Sequence, residues 1–137
     1  MENRKVVVVP CSGIGKSLGT VGRVATYKVI ERLRPEKTRT VCLALLTVGD
    51  ADALRLVREN PCIAVDGCPA QCAKKNIEES MGKLAHNVVV TDVLRKNRSL
   101  KPEGVIVLND QGDKLAEIIA RTLSEKVDEI QREEKCE

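Results

Sequence analysis

The chain has 137 residues, 23 Lys and Arg against 20 Asp and Glu, a formal net charge of +3 and 31% charged residues. One core can bury enough surface at this length to fold without staples, and so small a net charge spread over so many charged groups forms no basic stripe for nucleic acid. Phe and Trp are absent and Tyr27 is the only aromatic residue, which removes the stacking platforms of single-stranded nucleic-acid binders, and no apolar run approaches the length of a membrane span.

Lys5-Val6-Val7-Val8-Val9 is a continuous β-branched run, the pattern of a strand buried on both faces of a parallel sheet, and Pro10, Gly13 and Gly15 end it. A helical stripe follows over residues 21–33, on Val21, Val24, Ala25, Val29, Ile30 and Leu33, closed by Pro35. Residues 38–46 hold a second strand-like run around Val41-Cys42-Leu43, and Gly49-Asp50 introduces a short helix over 53–58. A third strand is expected at 61–65, a helix at 69–81 with Gly82 as its stop, and a fourth strand at 87–90. Residues 95–103 are polar and read as a loop before a fifth strand at 105–108. A final helix runs from Asp113 to about Arg132 with Leu115, Ile118, Ile119, Leu123, Val127 and Ile130 on its buried stripe, and residues 132–137 read as a frayed, charged tail. Strands alternating with helices predict an α/β fold: one three-layer, Rossmann-like domain over 1–137, with a mostly parallel sheet and ligands at the carboxyl ends of its strands.

The cysteines stand at those ends. Cys11 follows the first strand, Cys42 lies in the second run, and Asp66-Gly67-Cys68-Pro69-Ala70-Gln71-Cys72 joins the third strand to a tight turn, a helix start and two sulfurs. Pro69 suits a first helical position, with Cys68 on the N-cap side, where exposed N–H groups favour a thiolate. Cys72, four residues on, can face the same point. Thiolates placed this way bind soft metals or do sulfur chemistry. If the second and third strands flank the first, all these cysteines meet at the switch point of the sheet. Gly15-Lys16-Ser17 imitates the end of a phosphate-binding loop, but Pro10 stands where its leading glycine belongs, and Leu18 breaks a dinucleotide fingerprint. The glycines are read as turn and packing residues. Asp66 is expected to accept backbone N–H bonds in its turn, and His86, the only histidine, is expected to be a strand-start residue. The apolar run at 6–9 is far too short for a signal peptide, so a reducing cytoplasm and free thiols are expected.

Cys11-Ser12-Gly13-Ile14-Gly15 after a valine strand, Cys42-Leu43-Ala44, Ile63-Ala64-Val65-Asp66-Gly67-Cys68-Pro69 with Cys72-Ala73-Lys74-Lys75, and Val90-Thr91-Asp92 together resemble the DGC-domain family, regarded as zinc-binding. The resemblance covers about residues 6–96, and the segment beyond Lys96 departs from the shared core. It implies Cys11, Cys42, Cys68 and Cys72 as metal ligands. Cys62 and Cys136 match no family position. No established reaction comes with the resemblance.

The expected function is therefore binding of one soft metal ion, zinc, by four thiolates. A closed tetrahedral site suits structure, sensing or metal handling, since hydrolysis needs an open position for water. An iron-sulfur cluster fits the same four cysteines. The rival is enzymatic: Cys11 as nucleophile or phosphoryl carrier, in a loop similar to the phosphocysteine loop of sugar-phosphotransferase IIB subunits, which leaves the other three cysteines unexplained. A variant is sulfur or disulfide exchange between Cys68 and Cys72.

Overall fold

In the computed structural model, which describes residues 4–136, strands β1 (Val6–Pro10), β2 (Thr38–Arg39), β3 (Pro61–Asp66) and β4 (Lys83–Val89) form one sheet. Every neighbouring pair is parallel and the order is β2-β1-β3-β4. The central strands are the two with unbroken apolar runs, because a strand covered on both faces has no side that faces water. Their residues alternate between two cores. Val6, Val8, Ile63 and Val65 pack under α1 (Ser17–Lys28) and α6 (Asp110–Lys135). Val7, Val9, Cys62 and Ala64 pack under α2 (Leu43–Thr47), α3 (Ala51–Glu59) and α4 (Cys72–Glu79). The expected three-layer α/β architecture is present, with the second and third strands on either side of the first.

Several boundaries differ from expectation. The second strand stops at Arg39 and residues 43–47 are helical. Leu43 and Leu46 are the buried positions, three apart, so the burial follows a helical and not a strand period. The first helix begins at Ser17 and continues through a π-helical turn, Val29–Leu33. β4 begins at Lys83, and Val90 already opens α5 (Val90–Lys96), where a loop had been expected from residue 95. The stop after α4 places Met81, not Gly82, in the left-handed region, and the Gly82 N–H closes the turn on the Ile77 carbonyl at 2.9 Å. α6 begins at Asp110 and stays helical through residues 132–135, where fraying had been expected, and Glu137 lies outside the described residues.

The largest correction is at 105–108, which form no strand. Asn109 closes this segment into a loop: its N–H donates to the Glu103 carbonyl at 2.9 Å, and its side-chain oxygen accepts from Glu103 at 3.0 Å and from Gly112 at 2.8 Å. The same oxygen caps α6, so the loop and the helix start are one unit, and the β propensity of Val105, Ile106 and Val107 is overridden. α6 is held to the end of α1 by Lys28 on Glu117 at 3.0 Å and by a fork of Arg34 on Asp128 at 2.9 and 2.8 Å.

Cys62 illustrates what burial on both faces does to a thiol. It is fully buried in β3, its Sγ donates to the Asn60 carbonyl at 3.3 Å, and burial pushes the thiol from an ordinary 9.0 up to about 12. Between those values the folded chain holds a proton that the unfolded chain has lost, so stability falls as pH rises across that window. Cys62→Ala should lower stability by a constant packing cost and flatten this alkaline decline. Denaturant midpoints measured at intervals from neutral pH to pH 11 in both proteins check it.

Candidate functional site

The carboxyl edge of the sheet is assembled around the end of β1. The Cys11 N–H donates to the Val65 carbonyl at 2.8 Å, carrying the β1–β3 ladder one residue past Pro10. The period of two then puts Cys11 on the same face as Val7 and Val9, toward α2 and α4. In return the Gly67 N–H donates to Cys11 Sγ at 3.3 Å. The turn after β3 and the tail of β1 are therefore tied by one bond in each direction.

Glycine is required where these segments meet the start of α1. A Cβ on Gly19 would stand 2.5 Å from Gly13 Cα, and one on Gly67 would stand 3.0 Å from the Gly19 nitrogen and 3.1 Å from the Leu18 carbonyl carbon. The loop after β1, the first turn of α1 and the Asp-Gly-Cys turn are thus in backbone contact. This supports the packing reading of the glycines. Arg23 on α1 braces the same loop, donating to the Ser12 carbonyl at 2.6 Å and to Thr20 Oγ1 at 3.2 Å.

Asp66, 1% exposed, is the anchor of the cysteine turn. Its Oδ1 accepts the Ala73 N–H at 2.7 Å and its Oδ2 accepts the Lys74 N–H at 3.2 Å, so a carboxylate at the end of β3 caps the N-terminus of α4. The expected backbone-binding role is present, though the bonds go to the helix seven and eight residues on. Pro69 is not the first helical residue and Cys68 is not at the N-cap: residues 68–71 form a turn, closed by the Gln71 N–H on the Cys68 carbonyl at 3.2 Å, and α4 begins at Cys72. Gln71 stands at the N-cap in the left-handed region, with φ 55 and ψ 48. A non-glycine residue there costs about 1 kcal/mol. Gln71 Nε2 is held by Asn87 Oδ1 at 2.9 Å, and Asn87 Nδ2 in turn donates to Asp66 Oδ2 at 2.9 Å.

Asn87 and Gln71 are the residues bonded to the cysteine turn that sequence reasoning missed. Their signal was slight: an amide inside the apolar run of β4, and a long polar side chain between two cysteines. Arg23 was missed as well, hidden in a helical stripe.

Cys42 comes to the same edge after β2, at the N-cap of α2, and is exposed. A cavity of about 450 Å³ lies between it and Cys11. Cys68 is half-buried and Cys72 exposed. The Cys11 thiol is pushed up first by burial, is drawn back by the Gly67 N–H, and is pushed further by the negative charge available to Asp66, Cys72 and Cys68. Those three groups each oppose ionisation of Cys11, a repulsion that a cation would relieve. Among the described residues, no three His, Cys, Asp or Glu side chains are gathered ready to hold a metal ion. The edge brings Cys68 and Cys72 within electrostatic reach of Cys11 and leaves Cys42 across the cavity.

The remaining candidates lie elsewhere. Cys62 pairs with Val7, toward the amino end of the ladder. His86 sits within β4, in register with Ile63, short of the carboxyl edge. Cys136 caps the far end of α6, near which Gln131 bonds the Arg4 carbonyl before β1.

Asn87→Leu keeps roughly the size of the side chain and removes its three amide bonds, to Gln71, Asp66 and the Ala64 carbonyl, so it should cost about 1–3 kcal/mol. It should also loosen the start of α4, read as faster hydrogen exchange at the Ala73 and Lys74 amides.

No curated protein and no solved structure matches the chain significantly. The DGC domain family matches over residues 7–118, which extends past Lys96 into α6 and corrects the expectation that the shared core ends there. The match takes in every cysteine at the carboxyl edge, the glycine contacts and the Asp66 cap, and the chain belongs to the DGC-domain family.

Proposed function

We propose that this chain is a soft-metal protein that holds zinc through Cys11, Cys42, Cys68 and Cys72 and serves metal handling, sensing or sulfur chemistry in a reducing compartment. The observation that supports the reading best is the convergence of three strand ends: β1, β2 and β3 each deliver cysteine to one edge of a parallel sheet. The donor set suits the ion. Sulfur is the ligand of choice for zinc and for iron-sulfur clusters, and the repulsion that Cys11 meets on ionising falls once a dication is near. The Asp66, Asn87 and Gln71 bonds would orient the Cys68–Cys72 turn, the Gly67 N–H would stabilise a thiolate at Cys11, and bound metal would supply charge neutralisation of the sulfurs.

The nucleophile reading finds less support. Burial raises the Cys11 thiol, whereas a free nucleophilic cysteine needs the opposite shift.

Protein purified without oxygen should hold about one zinc ion or one cluster per chain, with sulfur near 2.3 Å for zinc. Elemental analysis, X-ray absorption and the visible spectrum separate zinc, cluster and bare thiol. Cys68→Ser or Cys72→Ser should weaken retention against a chelator by more than tenfold, as should Cys11→Ser and Cys42→Ser, while Cys62→Ala and Cys136→Ala leave it unchanged. A metal-free preparation in which every thiol titrates as free after zinc and iron are offered overturns the reading.

Retention should also fall with acid. The ligands must lose their protons to bind, and a raised Cys11 value moves the required pH upward. Chelator treatment should leave cooperative unfolding in place, because the two cores on either face of the sheet are built almost wholly of aliphatic side chains, with Cys11 the only proposed ligand among them. A chelator-treated chain with no cooperative transition would contradict this.

A further inference from the structure

We propose that the cavity between Cys11 and Cys42 binds a small organic carboxylate with an apolar body, the carboxylate meeting Arg23 and the body lying along the loop walls. The cavity measures about 450 Å³, within the roughly 300–1,000 Å³ of small-molecule sites and far larger than a metal ion needs. Its walls come from the loop after β1, from α1 and from the segment between β2 and α2. Apart from the two sulfurs they are mostly apolar, with Ile14, Val41, Leu43 and Ala44 among them.

Arg23 is the only charged residue in the lining. Among the described residues no carboxylate pairs with it: its two side-chain bonds go to a carbonyl and a hydroxyl, both neutral. Two bonds leave part of the five-donor guanidinium free, and its planar fork matches a carboxylate. A lone cation beside apolar walls favours an anion that brings its own apolar surface.

Tyr27 strengthens the case. The chain has one aromatic side chain, and it lies in this wall, 48% exposed, where it adds little to either core. Ile14, 79% exposed, extends the apolar wall at the same mouth. Phosphate fits less well, since Arg23 is the one cation in the lining and the Ser12, Tyr27 and Thr40 hydroxyls are few against the water a dianion gives up. An occupant would lie against Cys11 and Cys42, would shield Cys42, and would compete with a metal ion that draws the two sulfurs together.

Tyr27 is also the reporter. The full-length reduced protein is titrated with hexanoate, with hexanamide as the neutral isostere and inorganic phosphate as the anion without an apolar body, while tyrosine fluorescence is followed. Hexanoate should give a saturable change, with hexanamide and phosphate each at least tenfold weaker. It should slow alkylation of Cys42 but not of Cys136, which is exposed at the far end of α6. Arg23→Gln should bring hexanoate down to the level of hexanamide. Ala44→Phe, at an exposed helix position that leaves Arg23 in place, should weaken both ligands by filling the cavity. Hexanamide or phosphate binding as tightly as hexanoate, or hexanoate binding unaltered in both variants, overturns the proposal. Chelator-challenged zinc retention, measured separately, distinguishes this failure from failure of the four-cysteine site.

Discussion

The parallel pairing of β1 with β3 is the constraint on which the rest of the molecule depends. These strands are buried on both faces, and their ladder continues through the Cys11 N–H to the Val65 carbonyl. Because that bond sets the register, Cys11 arrives beside the Asp-Gly-Cys turn and not one residue to either side. A slip of one residue would turn Cys11 toward α1 if β1 moved, or carry Asp66 to the opposite face of the sheet, away from the helix it caps, if β3 moved. The packing of two aliphatic cores therefore determines the chemistry at the edge.

The three residues of the Asp-Gly-Cys motif have separate physical roles. Asp66 brings a buried carboxylate to the exposed N–H groups of α4, satisfying donors that helix geometry leaves unpaired. Gly67 permits backbone contact with α1 and points its N–H at Cys11 Sγ. Cys68 begins the turn that delivers Cys72 to the first position of the helix. The motif thus joins both helical layers to the sheet at the point where sulfur accumulates. Asn87 extends it to the edge strand, coupling the Asp66 cap to the strained backbone of Gln71.

Electrostatics at this edge run against isolated thiolates. Cys11 is desolvated and faces other groups that carry negative charge when ionised, so its proton is held more tightly than in water. The same crowding is of the kind a cation relieves, because charge that opposes a thiolate at Cys11 attracts a dication. Arg23, the one cation lining the cavity beside Cys11, is turned to the Ser12 carbonyl and Thr20 hydroxyl, where it braces the loop.

The central strands, the alternation of strands with helices as far as β4, and the placement of Cys11 and Cys68 at one edge were legible in the sequence. Unbroken β-branched runs, helical stripes and Gly or Pro punctuation are local patterns, and they dictate burial whatever the neighbours are. The family resemblance was legible too, because it rests on contiguous motifs. Tertiary structure alone decided the rest. Residues 43–47 are helical and residues 105–108 form a loop, although each run has an apolar composition that also fits a strand, and the choice came from the sheet face in one case and from the Asn109 bonds in the other. The partnership of Asp66, Asn87 and Gln71 joins positions up to 21 residues apart and has no local signature. The cavity before Arg23 likewise arises only when α1 and two strand-end loops are brought together, since no one of those segments encloses a space by itself.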